Sequence, residues 1–328
     1  MPDNLNTPDN STGNKTVSSK RWASLDHFRG LAVFLMILVN SLAPYNVPPW
    51  LKHAPWNGYT FADLVAPMFL FAMGMAYRIS LKKRLTRHGT PKTILHFVKR
   101  YSILFLFGFG GLFLVSRRFD WGVLQMLGAV GLFSLPLIFA RSSISISVSF
   151  LLLAFYQAAL TFLNMEPLAF SLDMGGPLAT LSWSFILIMA SAFGSRMQNS
   201  TPIRIKLILA AAGTAFTLAG LSLSLVFPLN KHLVTSSYIL FSLGLSSLLF
   251  LLFYILIDTY HARIGFLEAF GKNPLTLYIT GSVLTVIEEL IIPETSQILF
   301  PLFGTIVILS ICVALAEILA VKKIYIKL

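Results

Sequence analysis

The sequence predicts an all-α, polytopic integral membrane protein with about ten transmembrane helices in one bundle. Three observations lead there. Of 328 residues, 56% are hydrophobic and only 12% are charged, roughly half the charged fraction of a soluble domain. Apolar runs of about 18 residues or more recur along the chain, each long enough to cross a hydrocarbon core of about 30 Å. The basic residues gather in alternate loops, as they do where loops are sorted across a membrane. That sorting also accounts for the net charge of +12, so no nucleic-acid partner is expected.

Residues 1–22 are polar and read as a disordered cytoplasmic tail. The sequons at Asn10 and Asn14 carry no meaning on that side of a membrane. No cleavable signal peptide is evident, and the first helix is expected to serve as an uncleaved anchor. Residues 23–321 read as one transmembrane domain, and 322–328 as a basic cytoplasmic tail. The spans are expected near 25–42, 61–82, 94–115, 121–140, 143–163, 177–197, 204–227, 234–257, 267–292 and 297–320. The fourth and fifth are parted only by Ala140-Arg141-Ser142-Ser143, and the ninth carries Glu288 and Glu289.

The loop between the second and third spans holds Lys82, Lys83, Arg84, Arg87, Lys92, Lys99 and Arg100. With that loop in the cytoplasm, only Lys52, Arg117, Arg118 and Lys231 of the 25 basic residues fall on the far side. Both termini are then cytoplasmic, and His53 faces the extracytoplasmic surface. The expected location is a bacterial inner membrane, crossed many times. The single cysteine, Cys312, makes neither an intrachain disulfide nor a metal site.

The chemistry concentrates between the first two spans. Asp26 and Arg29 are spaced to pair on one face of the first helix, and either Ser24 or Asp26 can cap its start. Arg29 is then an anchor at the helix end or a phosphate ligand at the mouth of a cavity. Asn40 lies roughly 16 Å further along the axis. It is a cap, an interhelical bond or a donor to a polarised carbonyl. His53 follows a proline-rich turn and is flanked by Trp50, Trp56 and Tyr59. An interfacial aromatic belt explains the rings but does not call for an imidazole. A partly shielded histidine there can act as a general base or a nucleophile. Asp63 suits the dipole of the second helix and equally suits orienting His53. Gln125, Asn230, Lys231 and Asn273 stand near helix ends, where polar residues also serve as ordinary caps. Glu288, Glu289 and Glu317 are expected to snorkel or pair near span ends.

These residues form blocks. Ser24-Leu25-Asp26-His27-Phe28-Arg29-Gly30, Met36-Ile37-Leu38-Val39-Asn40 and His53-Ala54-Pro55-Trp56-Asn57-Gly58-Tyr59-Thr60-Phe61-Ala62-Asp63 resemble the transmembrane acetyltransferases related to heparan-α-glucosaminide N-acetyltransferase. Gly122-Val123-Leu124-Gln125, Pro228-Leu229-Asn230-Lys231, Phe270-Gly271-Lys272-Asn273-Pro274 and Tyr278 are similar to later motifs of that family. The resemblance implies a multi-helix acyltransferase that takes an acetyl group from cytoplasmic acetyl-CoA to an amine or hydroxyl on a sugar or glycan across the membrane. It places the catalytic histidine at His53 and the first-helix asparagine at Asn40, with Asp63 as the third catalytic candidate. Arg29, Gln125, Lys272 and Asn273 become candidates for the acetyl-CoA site, and Trp56, Asn57, Asn230 and Lys231 for the acceptor. No metal is expected. The segment from Asn164 to Gly176 is short where the animal enzyme has long loops and a large extracytoplasmic domain. The expected acceptor is therefore a cell-envelope glycan rather than heparan. The partners are then acetyl-CoA, the acceptor and the lipid bilayer, with a homodimer left open. The alternative is a transporter or flippase for an envelope lipid or sugar, which broken helices in two matching halves would favour. No such halves are visible.

Overall fold

The computed structural model describes residues 22–116 and 121–325. Residues 1–21 and 326–328 of the expected tails, and the basic residues Arg117 and Arg118, lie outside the described residues. Among the described residues the chain is helical, without strands. The helices are α1 (Ala23–Leu42), α2 (Phe61–Ser116), α3 (Val123–Phe139), α4 (Ser142–Phe162), the short α5 (Glu166–Phe170) and α6 (Thr180–Gln198). Then come α7 (Pro202–Leu223), α8 (Ser236–Phe253), α9 (Gly265–Lys272), α10 (Pro274–Ile291) and α11 (Leu299–Val321). α8 runs on into a π-helical turn, Tyr254–Thr259.

Seven of these segments are long and apolar enough to cross a membrane, α8 being counted with its π turn. The expectation of about ten spans differs from that number for physical reasons. α2 is one helical run with a break at Gly89, where φ is 73° and ψ is 175°. That left-handed conformation suits glycine, and the chain doubles back there. The ring of Tyr77 consequently meets Phe97 at 5.1 Å and Tyr101 at 5.2 Å between centroids. The two arms thus cover the second and third expected spans. α3, with 17 residues, is shorter than a usual span. α6 is buried along nearly its whole length and so tolerates serines. The hydroxyls of Ser184 and Ser191 bond back to Leu181 and Ile188 carbonyls, which satisfies them away from water. α7 takes the opposite position. Ile203, Leu207 and Leu218 are exposed on it, as a lipid-facing surface requires.

The expected ninth span, 267–292, is two helices. Pro274 opens α10 and Asn273 is non-helical at φ −129°, ψ 51°. A proline disfavours helical geometry in the residue before it. α9 crosses α1 so closely that a β-carbon on Gly30 would run into the Leu267 carbonyl, and one on Gly271 into the Asp26 carbonyl.

The start of α1 is capped from elsewhere. Neither Ser24 nor Asp26 caps it, as the sequence had suggested. Asp258, in the π turn, accepts the amides of Ala23 and Ser24, each at 3.2 Å. Asp26 instead pairs with Arg29 at 2.8 Å. Glu288 does not snorkel. It is buried and accepts a hydrogen bond from the Ser41 hydroxyl, tying α10 to α1. Glu289 and Glu317 are exposed.

Candidate active site

The loop between α1 and α2 cannot continue either helix. Pro44, Pro48, Pro49 and Pro55 remove amide donors and fix φ, and a short 3₁₀ turn, Pro49–Leu51, is all the regular structure it has. His53 follows that turn. Its Nδ1 lies 2.8 Å from Oδ1 of Asp63, the third residue of α2. The second carboxylate oxygen, Oδ2, accepts the amides of Thr60 at 2.9 Å and Ala54 at 3.2 Å. The Thr60 hydroxyl stands between Oδ2 at 3.1 Å and the Lys52 carbonyl at 2.6 Å. Both readings of Asp63 therefore hold at once, on different oxygens. One oxygen caps the helix start and the other orients the imidazole.

Asp63 is fully buried, whereas the His53 side chain is 31% exposed. A carboxylate only accepts, so Nδ1 carries the proton and Nε2 presents a lone pair. Partial burial pulls the imidazole pKa below its ordinary value. The hydrogen bond to Asp63 opposes that shift, and the Lys231 cation adds to it. The ring is thereby held neutral near pH 7, as a general base or nucleophile must be.

The loop from 224 to 235 docks against this one. The Asn230 side-chain amide donates to Oδ1 of Asn57 at 3.1 Å. The Gly58 amide donates to the Leu229 carbonyl at 2.8 Å. Nε2 of His232 meets the Ala54 carbonyl at 3.2 Å, and its ring stacks on Trp56 at 6.0 Å. Phe170, from α5, packs edge-on to Trp56 at 5.1 Å. All four acceptor-site candidates, Trp56, Asn57, Asn230 and Lys231, thus gather beside His53. Trp56 and Asn57 are exposed, Asn230 and Lys231 buried. Tyr238 of α8 donates from its hydroxyl to the Asp63 carbonyl at 2.8 Å and fixes the third side.

Asn40 stands on α1, where the Tyr278 hydroxyl of α10 interacts with it and with Ser282. No hydrogen bond joins Asn40 to His53 among the described residues. Asp173 lies within electrostatic range of His53, Lys231 and Tyr278 without an ion pair to any of them among the described residues. It opens a 3₁₀ turn, Asp173–Gly175, in which Met174 and Gly175 have positive φ, as does Gly176 just after it. Sequence reading missed Asp173. The Gly175-Gly176 pair after it was the available signal of a tight turn.

A cavity of about 550 Å³ opens at the other end of the bundle. Arg29, Arg84, Arg100 and Lys272 lie around one part of its wall. Met36, Phe69, Met73, Leu127 and Leu275 make much of the rest apolar, and Tyr278 lines it too. Tyr278 thus belongs both to this cavity and to the Asn40 neighbourhood. Of the four residues expected at the acetyl-CoA site, Arg29 and Lys272 line the cavity. Arg29 donates through Nε to the Gly271 carbonyl at 2.8 Å and through Nη2 to Gly271 and Asp26. Lys272 pairs with Glu268 at 2.6 Å. The other two do not line it. Gln125 turns back to the Gly122 amide at 3.2 Å, capping α3. Asn273 donates to the Ile324 carbonyl at 3.0 Å, holding the end of the described chain against α10. Arg84 and Arg100 had been read only as orientation charges. Their spacing with Tyr77 and Ser80, and with Phe97 and Leu104, puts each set on one helix face, and that was the usable signal.

The chain also matches known sequences. Residues 21–139, which include α1, the His53 loop, α2 and α3, match the family model described as "Domain of unknown function (DUF5009)". The human protein named heparan-alpha-glucosaminide N-acetyltransferase is 36% identical over 121 residues, 33% of this chain and 17% of its own length. The mouse protein of the same name is 43% identical over 72 residues, 21% of this chain and 10% of its own. The chain therefore aligns with less than one fifth of these relatives. Over that stretch it is related to them, as the residue blocks imply.

Proposed function

We propose that the chain is a membrane-bound acyltransferase that moves an acetyl group from acetyl-CoA to an amine or hydroxyl of a sugar or glycan across the membrane. The observation that carries this reading is one of placement. A cavity with a cationic rim and apolar walls reaches Tyr278, which interacts with Asn40, and the Asp63-held imidazole of His53 stands at the other end of the bundle.

The cavity suits an elongated donor with phosphates at one end. Arg84, Arg100 and Lys272 complement the phosphates, while the apolar wall takes an uncharged arm. Arg29, tied to Gly271, shapes that mouth. Acetyl-CoA bound there supplies a thioester, an acyl carbon already activated for attack. His53 Nε2 takes the proton from the acceptor amine or hydroxyl as that atom bonds to the acyl carbon. The carbon–sulfur bond breaks, and the proton passes from the imidazolium to the departing thiolate. The Asn40 amide donates to the carbonyl oxygen as negative charge develops there. Asp63 acts through His53 as a positioning residue. If Nε2 instead accepts the acetyl group itself, label stays on the protein between two half-reactions. Under the charge rule for loops, the cationic mouth is cytoplasmic, both termini lie inside, and His53 faces the periplasmic side of a bacterial inner membrane.

The test uses the full chain in sealed vesicles, with radiolabelled acetyl-CoA on the Arg84 side and an amino-sugar panel on the His53 side. Label is expected on a sugar in the wild type and not in His53→Ala. Folded protein that labels neither sugar nor itself would remove the acyltransferase reading in favour of transport.

A further inference from the structure

We propose that Lys231 is the receptor for an anionic group on the acceptor, so that the preferred acceptor is a sugar carrying a phosphate or carboxylate rather than a neutral one. The reading of His53 as the transfer centre is its premise.

Lys231 is 6% exposed. Among the described residues its ammonium, carried at the end of a largely buried side chain, has neither a hydrogen bond nor an ion pair, although a largely buried lysine ordinarily has one or the other. Its neighbours in the chain explain why it stays there. Asn230 is bonded to Asn57, and His232 is bonded to the Ala54 carbonyl and stacked on Trp56. The residues on either side of Lys231 are therefore clamped to the His53 loop, and the lysine is carried in between. Two carboxylates lie within electrostatic range and neither satisfies it. Asp63 is committed to His53, Ala54 and Thr60. Asp173 is exposed and, among the described residues, forms no ion pair with it. A cation desolvated by the fold and left without a partner is complementary to an anion that arrives with the ligand. Beside it, the exposed rings of Trp56 and Phe170 offer apolar faces of the kind on which sugar rings pack. The Trp56 platform and the Lys231 charge together describe an anionic sugar.

The experiment compares glucosamine 6-phosphate with glucosamine, using the full-length protein in detergent for binding by thermal shift and in vesicles for transfer. The wild type is expected to favour the phosphorylated sugar by about 10- to 100-fold in Kd and in kcat/KM, the size of one charge-assisted bond. Lys231→Met should bring the ratio near one and Lys231→Arg should keep most of it. Asp173→Asn should raise it, because a competing negative charge is removed. Equal treatment of the two sugars by the wild type overturns the proposal, whether or not any variant folds. So does a Lys231→Met protein that keeps the preference, or an Asp173→Asn protein that loses it, since removing a competing carboxylate can only strengthen an anion site at Lys231. Binding preference without any acetyl transfer would keep the Lys231 site and sink the transferase reading. Transfer without preference would do the reverse.

Discussion

His53 and Asp63 are ten residues apart in sequence and joined by one 2.8 Å hydrogen bond, and the same carboxylate caps the helix that begins between them. Fold and chemistry share a single side chain here. Asp63→Asn should retain much of the cap, because the amide oxygen still accepts, but it can present an N–H to His53 and reverse the tautomer. The expected loss in kcat is about 10²- to 10⁴-fold with a small change in melting temperature. A melt that collapses in parallel with activity would make Asp63 structural only.

The pH dependence has a definite sign. His53 works as the neutral ring, and its pKa lies below the ordinary imidazole value of about 6.5. Activity should therefore rise with pH through a limb centred below about 6.5 and be flat at neutrality. Removing the Lys231 cation with Lys231→Met should move that limb upward. A kcat/KM profile with its acid limb above about 6.5 in the wild type would contradict the neutral-ring argument.

Much of this was legible in the sequence because membrane helices announce themselves by length and apolarity. The His53 loop stood out for the opposite reason, as a polar stretch in an oily chain. Asp63 could be placed beside His53 from spacing at a helix start. What could not be read were contacts made across the bundle. Gln125 and Asn273 do not line the cavity; Gln125 bonds the Gly122 amide and Asn273 the Ile324 carbonyl, 51 residues further along the chain. Asp258 caps a helix more than two hundred residues earlier in the chain, which no local pattern reveals. Arg84 and Arg100 were counted as loop charges because the reversal at Gly89, which places both on one cavity wall, depends on one left-handed residue.

The α1–α9 crossing should be intolerant of a single methyl. In Gly271→Ala the added carbon meets the Asp26 carbonyl, which belongs to rigid helix backbone. The helices must then separate, at a cost of about 1–3 kcal/mol for overpacking. The Arg29 bonds to the Gly271 carbonyl loosen with them. A lower melting midpoint and weaker acetyl-CoA binding should appear together. An unchanged melt would show that the crossing is softer than its geometry implies.

Orientation can be read by labelling. Cys312 is buried, so an added surface thiol gives the dominant signal. Trp50→Cys, on the exposed part of the His53 loop, should react with an impermeant maleimide from outside intact right-side-out cells. Arg87→Cys, beside Gly89, should react only after lysis. The reverse pattern would invert the topology and place the donor cavity on the outside.

Arg84 and Arg100 supply the last prediction. Arg84 stands near the far end of the first arm of α2 and Arg100 on the second arm, and both line the cavity. Neither lies near His53 in the chain, so neither is expected to touch the reacting atoms. Their charge should hold the donor equally in the ground state and the transition state, and such uniform binding appears in KM alone. Arg84→Ala and Arg100→Ala should each raise the KM for acetyl-CoA by about three- to tenfold, less than a buried charge would because the mouth is solvated, with kcat within about twofold of wild type. Raising the salt should weaken donor binding in the wild type and do so less in the double variant, since screening acts only on charges that remain. The same variants should leave the preference between acceptor sugars untouched. A fall in kcat with KM unchanged would mean instead that these arginines shape the cavity, and the site of the phosphates would have to be sought elsewhere on the bundle.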